Sequence, residues 1–112
     1  RRVGQRALAG VFDEVDVIIT PTATMGAPTY ADIDAFGALG LLSRVHTAYW
    51  DGVGNPVLAL PIGFTDNGLP LSMQMCGRPF DEATILRAGD AFQSATDWHL
   101  RVPAFATEAS AS

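Results

Sequence analysis

The chain contains no lysine: all 7 of its basic residues are arginine. It has no two adjacent serines either, since Ser43, Ser72, Ser94, Ser110 and Ser112 stand alone. Neither a lysine base nor a serine pair can be housed here. A single cysteine, Cys76, cannot close an internal disulfide, which excludes a stapled secreted domain and makes a reducing cytoplasm the expected compartment. Positive charge is scarce, with a net charge of -5 and a pI near 4.6. Phosphate-backbone binding needs clustered Lys and Arg to displace counterions, so no nucleic acid is expected as a direct partner. No apolar run approaches the roughly 18 to 20 residues that span a bilayer, and no charged-then-apolar leader is visible, so no membrane partner is expected. The start at Arg1-Arg2 without Met fits a chain cut from something longer.

Hydrophobic residues make up 48% of the 112 residues, which suits one globular domain with its own core and is too short for two. Residues 1 to 12 read as a helix, with Val3, Leu8, Val11 and Phe12 on one face and Arg1, Arg2, Gln5 and Arg6 on the other. Val15 to Thr20, ending at Pro21, is a short β-branched run apolar on both faces. That pattern predicts a strand with partners on both edges and cover on both faces. Thr22 to Asp34 is loop-like, with Gly26 and Pro28. Ala35 to Trp50 predicts a helix or helix pair through the spacing of Phe36, Leu39, Leu42, Val45 and Tyr49. Asp51 to Pro56 then breaks it through Gly52, Gly54 and Pro56.

Val57 to Phe64 and Leu69 to Gly77 predict a hairpin whose turn, Asp66-Asn67-Gly68, uses two residues tolerant of positive φ. The second strand alternates Leu71, Met73 and Met75 with Ser72, Gln74 and Cys76, which predicts one core face and one more polar face. Helix Glu82 to Thr96 follows, with Ile85, Leu86, Ala88, Gly89, Phe92 and Ala95 as its buried stripe. Asp81 is expected to cap its first-turn amides and Phe80 to staple onto Ile85. The segment Trp98 to Phe105 is expected to lie back across the fold, and residues 106–112 to fray.

Three pieces of this pattern, in order, carry a resemblance. They are F-D-E-V-D-V-I-I-T-P-T at Phe12 to Thr22, T-A-Y-W-D-G-V-G-N-P at Thr47 to Pro56 running into the hairpin with its Gly-Leu-Pro, and F-D-E at Phe80 to Glu82 with the aromatic-to-proline tail Trp98 to Pro103. Together they span about residues 12 to 103 and resemble the end of a member of the amidase signature family, several hundred residues long. The resemblance implies an α/β fold: a fragment of a mixed, twisted sheet with flanking helices, including the β-hairpin followed by a C-terminal helix. It implies hydrolysis of carboxylic amide C–N bonds by a Ser-Ser-Lys mechanism in the intact parent. The substrate would be a small-molecule amide, with no cofactor or metal and with the catalytic residues outside this chain. Other readings stand beside it: the glutaminase subunit of a tRNA-dependent amidotransferase, and a non-catalytic module forming a homo-oligomer through its uncovered sheet.

Within that resemblance, Trp50 and Asp51 are expected to line an acyl pocket, against the plainer reading of a packed aromatic beside a loop carboxylate. Asp81 matches a position whose acid helps hold the substrate amino group in glutamine-using members; as a plain N-cap it is worth about 1 kcal/mol. At Asp51 the family commonly has asparagine, and at Ser72 glycine, which bears on the shape of the cavity. His46, His99 and Asp97 have no spacing that supplies a nucleophile and read as structural or solvated. Cys76 reads as a buried thiol, and Met25, Met73 and Met75 as core filler.

Overall fold

The computed structural model describes residues 1–102. Its elements are α1 (Arg2–Phe12), β1 (Ile18–Pro21), α2 (Tyr30–Leu42), α3 (Thr47–Val53), β2 (Val57–Phe64), β3 (Pro70–Cys76) and α4 (Glu82–Ala95), then a 3-10 turn at Trp98–Leu100. The strands form one sheet in the order β1-β3-β2, and both pairings are antiparallel. Ile18 stands opposite Cys76 across one pairing and Val57 opposite Cys76 across the other. The expected tail segment 103–105 and the expected fraying of 106–112 lie outside the described residues.

Helices cover both faces of the sheet, which makes the piece α/β. On one face, Leu8 and Phe12 of α1 and Trp50 and Val53 of α3 enclose Cys76, with Ile18 beside them. On the other, Leu60, Met73 and Met75 pack with Leu58 and Ile62 and with Ala88 and Phe92 of α4. Central strand β3 is therefore buried on both sides at Met73, Gln74, Met75 and Cys76. The face expected to be polar is polar only at its Ser72 and Gln74 end, because Cys76 sits inside the α1–α3 cluster. β1 is an edge strand with one partner among the described residues, and Ile19 is 60% exposed, so the expected pairing on both edges and cover on both faces is not found. Pro61 is tolerated in β2 because that strand is the other edge, where a missing N–H costs no ladder bond.

Glycine sets the hairpin geometry at one residue, not two. Gly68 takes φ 80° and Asn67 keeps an ordinary negative φ, so Asn67 stabilises the turn by its side chain. Thr65 Oγ1 donates to Asn67 Oδ1 and accepts from Leu69 N–H at 3.0 Å, while Thr65 N–H donates to Leu69 O at 2.8 Å. Farther along, Pro61 faces Ser72 and Gly63 faces Leu71, which leaves Ile62 as an extra residue in a β-bulge.

The segment read as loop begins a helix early. Thr29 accepts from Asp32 N–H at 3.1 Å and the Asp32 carboxylate accepts from Thr29 N–H at 2.9 Å, a reciprocal capping box that starts α2 at Tyr30. Gly37, at φ 63° and ψ 174°, then kinks α2 and breaks the phase of its apolar residues. The predicted stripe fails for that reason: Leu39 is 83% and Leu42 68% exposed. The helix carrying Trp50 runs on through Asp51 and Gly52 to Val53, ending at Gly54 with φ 82°.

At α4, Ile85 and Gly89 are buried, whereas Leu86 and Ala95 of the expected stripe face outward. The hydrophobic staple does not form, because Phe80 is 94% exposed. Asp81 does occupy the N-cap position, yet its carboxylate makes no bond to a first-turn amide. Instead its Oδ1 accepts from Thr84 Oγ1 at 2.9 Å. The chain after α4 turns back so that the Trp98 ring meets Phe64 edge-on, with centroids 6.3 Å apart.

Candidate functional site

Polar side chains gather where β1 runs out beside β3. Gln74 is 2% exposed, and its amide nitrogen donates to Pro21 O at 3.1 Å and Thr20 Oγ1 at 3.4 Å. A buried amide must find partners, and here it fixes the Thr-Pro step leaving the sheet. The Thr22 and Ser72 hydroxyls bond one another, and Thr22 N–H donates to Ser72 O at 3.1 Å. From the other side, His46 N–H donates to Thr22 O at 2.9 Å. Thr20, Pro21, Val45, His46 and Tyr49 border a shallow cleft of about 450 Å³ above this seam.

A second cleft of about 480 Å³ runs between α1 and the β3–α4 connection, lined by Leu8, Ala9, Phe12, Asn55, Arg78 and Pro79 among others. Asn55, 8% exposed, donates from Nδ2 to Gly77 O at 2.8 Å, and Gly77 N–H donates to Pro56 O at 3.1 Å. Arg78 reaches back to α1 and the α1–β1 link, donating to Val15 O at 3.1 Å, to Phe12 O and to Asp16 Oδ1 at 2.9 Å. Gln5, expected on the solvent side of α1, donates to Val53 O at 2.8 Å and ties α1 to the end of α3. Sequence reasoning missed Gln5, Asn55, Gln74 and Arg78, since their partners are backbone carbonyls up to 66 residues away.

Trp50 is 7% exposed and packs among Leu8, Phe12, Val53 and Cys76, with the Tyr49 ring edge-on at 5.2 Å. Asp51, its neighbour on α3, faces solvent. Asp81 is half-buried at the head of α4. None of the three lines either cleft. Cys76 is fully buried, and desolvation pushes its thiol up to about 12, which removes it as a nucleophile at neutral pH. Asp97 pairs with Arg101 at 2.9 Å. Among the described residues no three of His, Cys, Asp and Glu converge as metal ligands, and no helix is long and apolar enough to cross a membrane.

The piece is a three-layer α/β arrangement with both sheet edges open among the described residues. The chain belongs to the amidase family, whose model, described as Amidase, matches residues 1–86. Over 104 residues it is 47% identical to a glutamyl-tRNA(Gln) amidotransferase subunit from Chloroflexus aggregans, covering 92% of this chain and 21% of that protein. It is 40% identical over 101 residues to a Mycobacterium tuberculosis protein provisionally named amidase AmiD, covering 88% of this chain and 21% of that one. The corresponding glutamyl-tRNA(Gln) amidotransferase subunit from Roseiflexus sp. is 43% identical over 104 residues, again at 21% of its length. The chain thus spans about one fifth of the curated relatives it matches.

Proposed function

We propose that residues 1–112 are the C-terminal portion of an amidase domain whose intact, cytoplasmic parent cleaves carboxylic amide C–N bonds by a Ser-Ser-Lys mechanism. The catalytic serines and lysine lie outside this piece, which supplies strands of the sheet and one wall of the pocket. The observation that carries the reading is the pairing of amidase-family membership with a sheet open, among the described residues, at both β1 and β2. Trp50 acts from the core, holding α3 so that the Asp51 carboxylate faces the substrate side. Asp81 has Oδ1 engaged by Thr84, which leaves Oδ2 to accept from a substrate amine.

Ammonia release by the intact parent from a panel of small amides tests this. The parent should turn over at least one amide and the 112-residue piece none. Hydrolysis by the piece alone, abolished by a substitution within it, sinks the reading.

A second reading, the glutaminase subunit of a tRNA-dependent amidotransferase, is favoured by the 47% identity to the Chloroflexus aggregans protein. Ammonia release confined to glutamine and dependent on tRNA and on a partner protein selects it. Exposed Ile19 on the β1 edge favours a third, a non-catalytic module that self-associates through the sheet edge. A piece that sediments as a monomer removes that one.

A further inference from the structure

Pro79 and Phe80 are the central residues of a tight turn closed by Asp81 N–H donating to Arg78 O at 3.0 Å. Proline is the ordinary choice at the first central position. The second, Phe80, has φ 63°, the one positive φ outside glycine among the described residues. Glycine or asparagine usually stands there, because a Cβ crowds the following carbonyl, glycine has none, and the short asparagine side chain offsets the cost by local hydrogen bonding. The ring gains nothing nearby in return: at 94% exposed, Phe80 is the most exposed large hydrophobic side chain among the described residues. Backbone strain and a solvated aromatic both act against this piece by itself. Their combination at one residue points to a contact outside it.

The turn is held at both ends. Arg78 is fastened to Val15 O at 3.1 Å and Asp16 at 2.9 Å, and Asp81 is fastened to Thr84. At Gly77 a Cβ would fall 2.9 Å from Ile85 Cγ2, so β3 and α4 meet without slack just before the turn. A ring presented on so fixed a turn loses little freedom on docking, the property of an anchor residue.

We infer that Phe80 is the anchor by which this piece docks onto the remainder of its parent polypeptide, its ring seated in an apolar pocket there. The occupant is argued from length and charge. The relatives extend far beyond the 21% matched here, and the exposed Glu82 near the ring calls for a hydrogen-bond donor at the pocket rim. This inference rests on the reading of the chain as part of a longer enzyme.

The test is the thermal midpoint of the intact parent carrying Phe80→Gly, Phe80→Ala or Phe80→Leu. Glycine relieves the strained φ, so a ring that stays in solvent in the parent makes Phe80→Gly raise the midpoint. A docked ring makes it fall by several degrees, with Phe80→Leu falling less than Phe80→Ala because it keeps most of the apolar bulk. If Phe80→Gly does not yield folded parent, the order of the Leu and Ala variants decides. A midpoint that rises or stays put, or Leu and Ala variants of equal stability, overturns the inference. So does an unchanged midpoint with loss of an oligomer by sedimentation, which assigns the ring to a second copy. Ammonia release is scored separately: a parent inert on every amide whose midpoint falls on Phe80→Gly loses the functional reading and keeps the anchor.

Discussion

Arg78 and Asp16, 62 residues apart in the chain, meet at 2.9 Å and fasten the head of the β3–α4 connection to the α1–β1 link. The ion pair is the lesser part of that link, since Asp16 is 82% exposed and such pairs contribute about 0–1 kcal/mol. The guanidinium also donates to the carbonyls of Phe12 and Val15. Arg78→Ala should therefore lower unfolding stability by about 2 kcal/mol and Asp16→Ala by about 0.5 kcal/mol. Urea unfolding midpoints of the two variants check the ratio; equal losses would mean that the ion pair dominates.

Gly89 lets α4 settle on β2. A Cβ there would lie 2.4 Å from Leu58 Cδ2 and 3.3 Å from Leu60 Cδ1. Alanine gains about 1 kcal/mol of helix propensity over glycine, while overpacking costs about 1–3 kcal/mol. Gly89→Ala should be at least about 1 kcal/mol less favourable with Leu58 present than in a Leu58→Ala background, a difference a double-mutant cycle reads directly.

Cys76 links stability to alkaline pH. Burial raises its thiol to about 12 from an ordinary 9.0. Above pH 9 the unfolded chain sheds this proton and the folded chain keeps it, so stability falls as pH rises from about 9 toward 12. Cys76→Ala should show a shallower decline across that window. At neutral pH, iodoacetamide should label the wild-type thiol no faster than the protein unfolds; rapid labelling of folded protein would contradict the burial.

The α2 capping box responds to acid. Hydrogen bonds from the Thr29 hydroxyl and backbone hold the Asp32 carboxyl below the usual carboxylate range. Its contribution is therefore present at neutral pH, above the unfolded value, and is lost as pH falls through the lowered folded value. Thr29→Ala and Asp32→Asn should remove this acid-sensitive part of the helical circular dichroism, leaving a flatter titration below about pH 4.

Local chemistry made much of the fold legible before any coordinates. The Asn67-Gly68 hairpin, the start of α4 at Glu82, the strand ending at Pro21 and the buried thiol of Cys76 all rest on turn signals and patterns within a few residues. Legibility failed where a residue answers to something distant or absent. Val15 to Thr20 reads as a doubly paired strand because its composition fits a buried sheet, yet one edge is open among the described residues. Phe80 reads as a staple because an aromatic precedes a cap, but the Pro79 turn points it outward. The Thr29–Asp32 box was within reach, a Thr-x-x-Asp signature hidden by Gly26 and Pro28 just before it. For the candidate site, Trp50, Asp51 and Asp81 came from resemblance. Gln74 and Arg78 carry no local signal, since only the folded chain brings Pro21 and Phe12 beside them.

The extra residue at Ile62 gives the hairpin arms unequal counts, eight residues in β2 against seven in β3. Two marks at different spacings work as a vernier does: sliding one strand past the other by two residues to match Gly68 again misplaces the bulge, and matching the bulge misplaces the turn. One alignment satisfies both. Among the described residues β1 pairs with β3 alone, so that single setting fixes where the residues of β2 stand relative to those of β1 across the shared central strand, with Val57 and Ile18 both opposite Cys76.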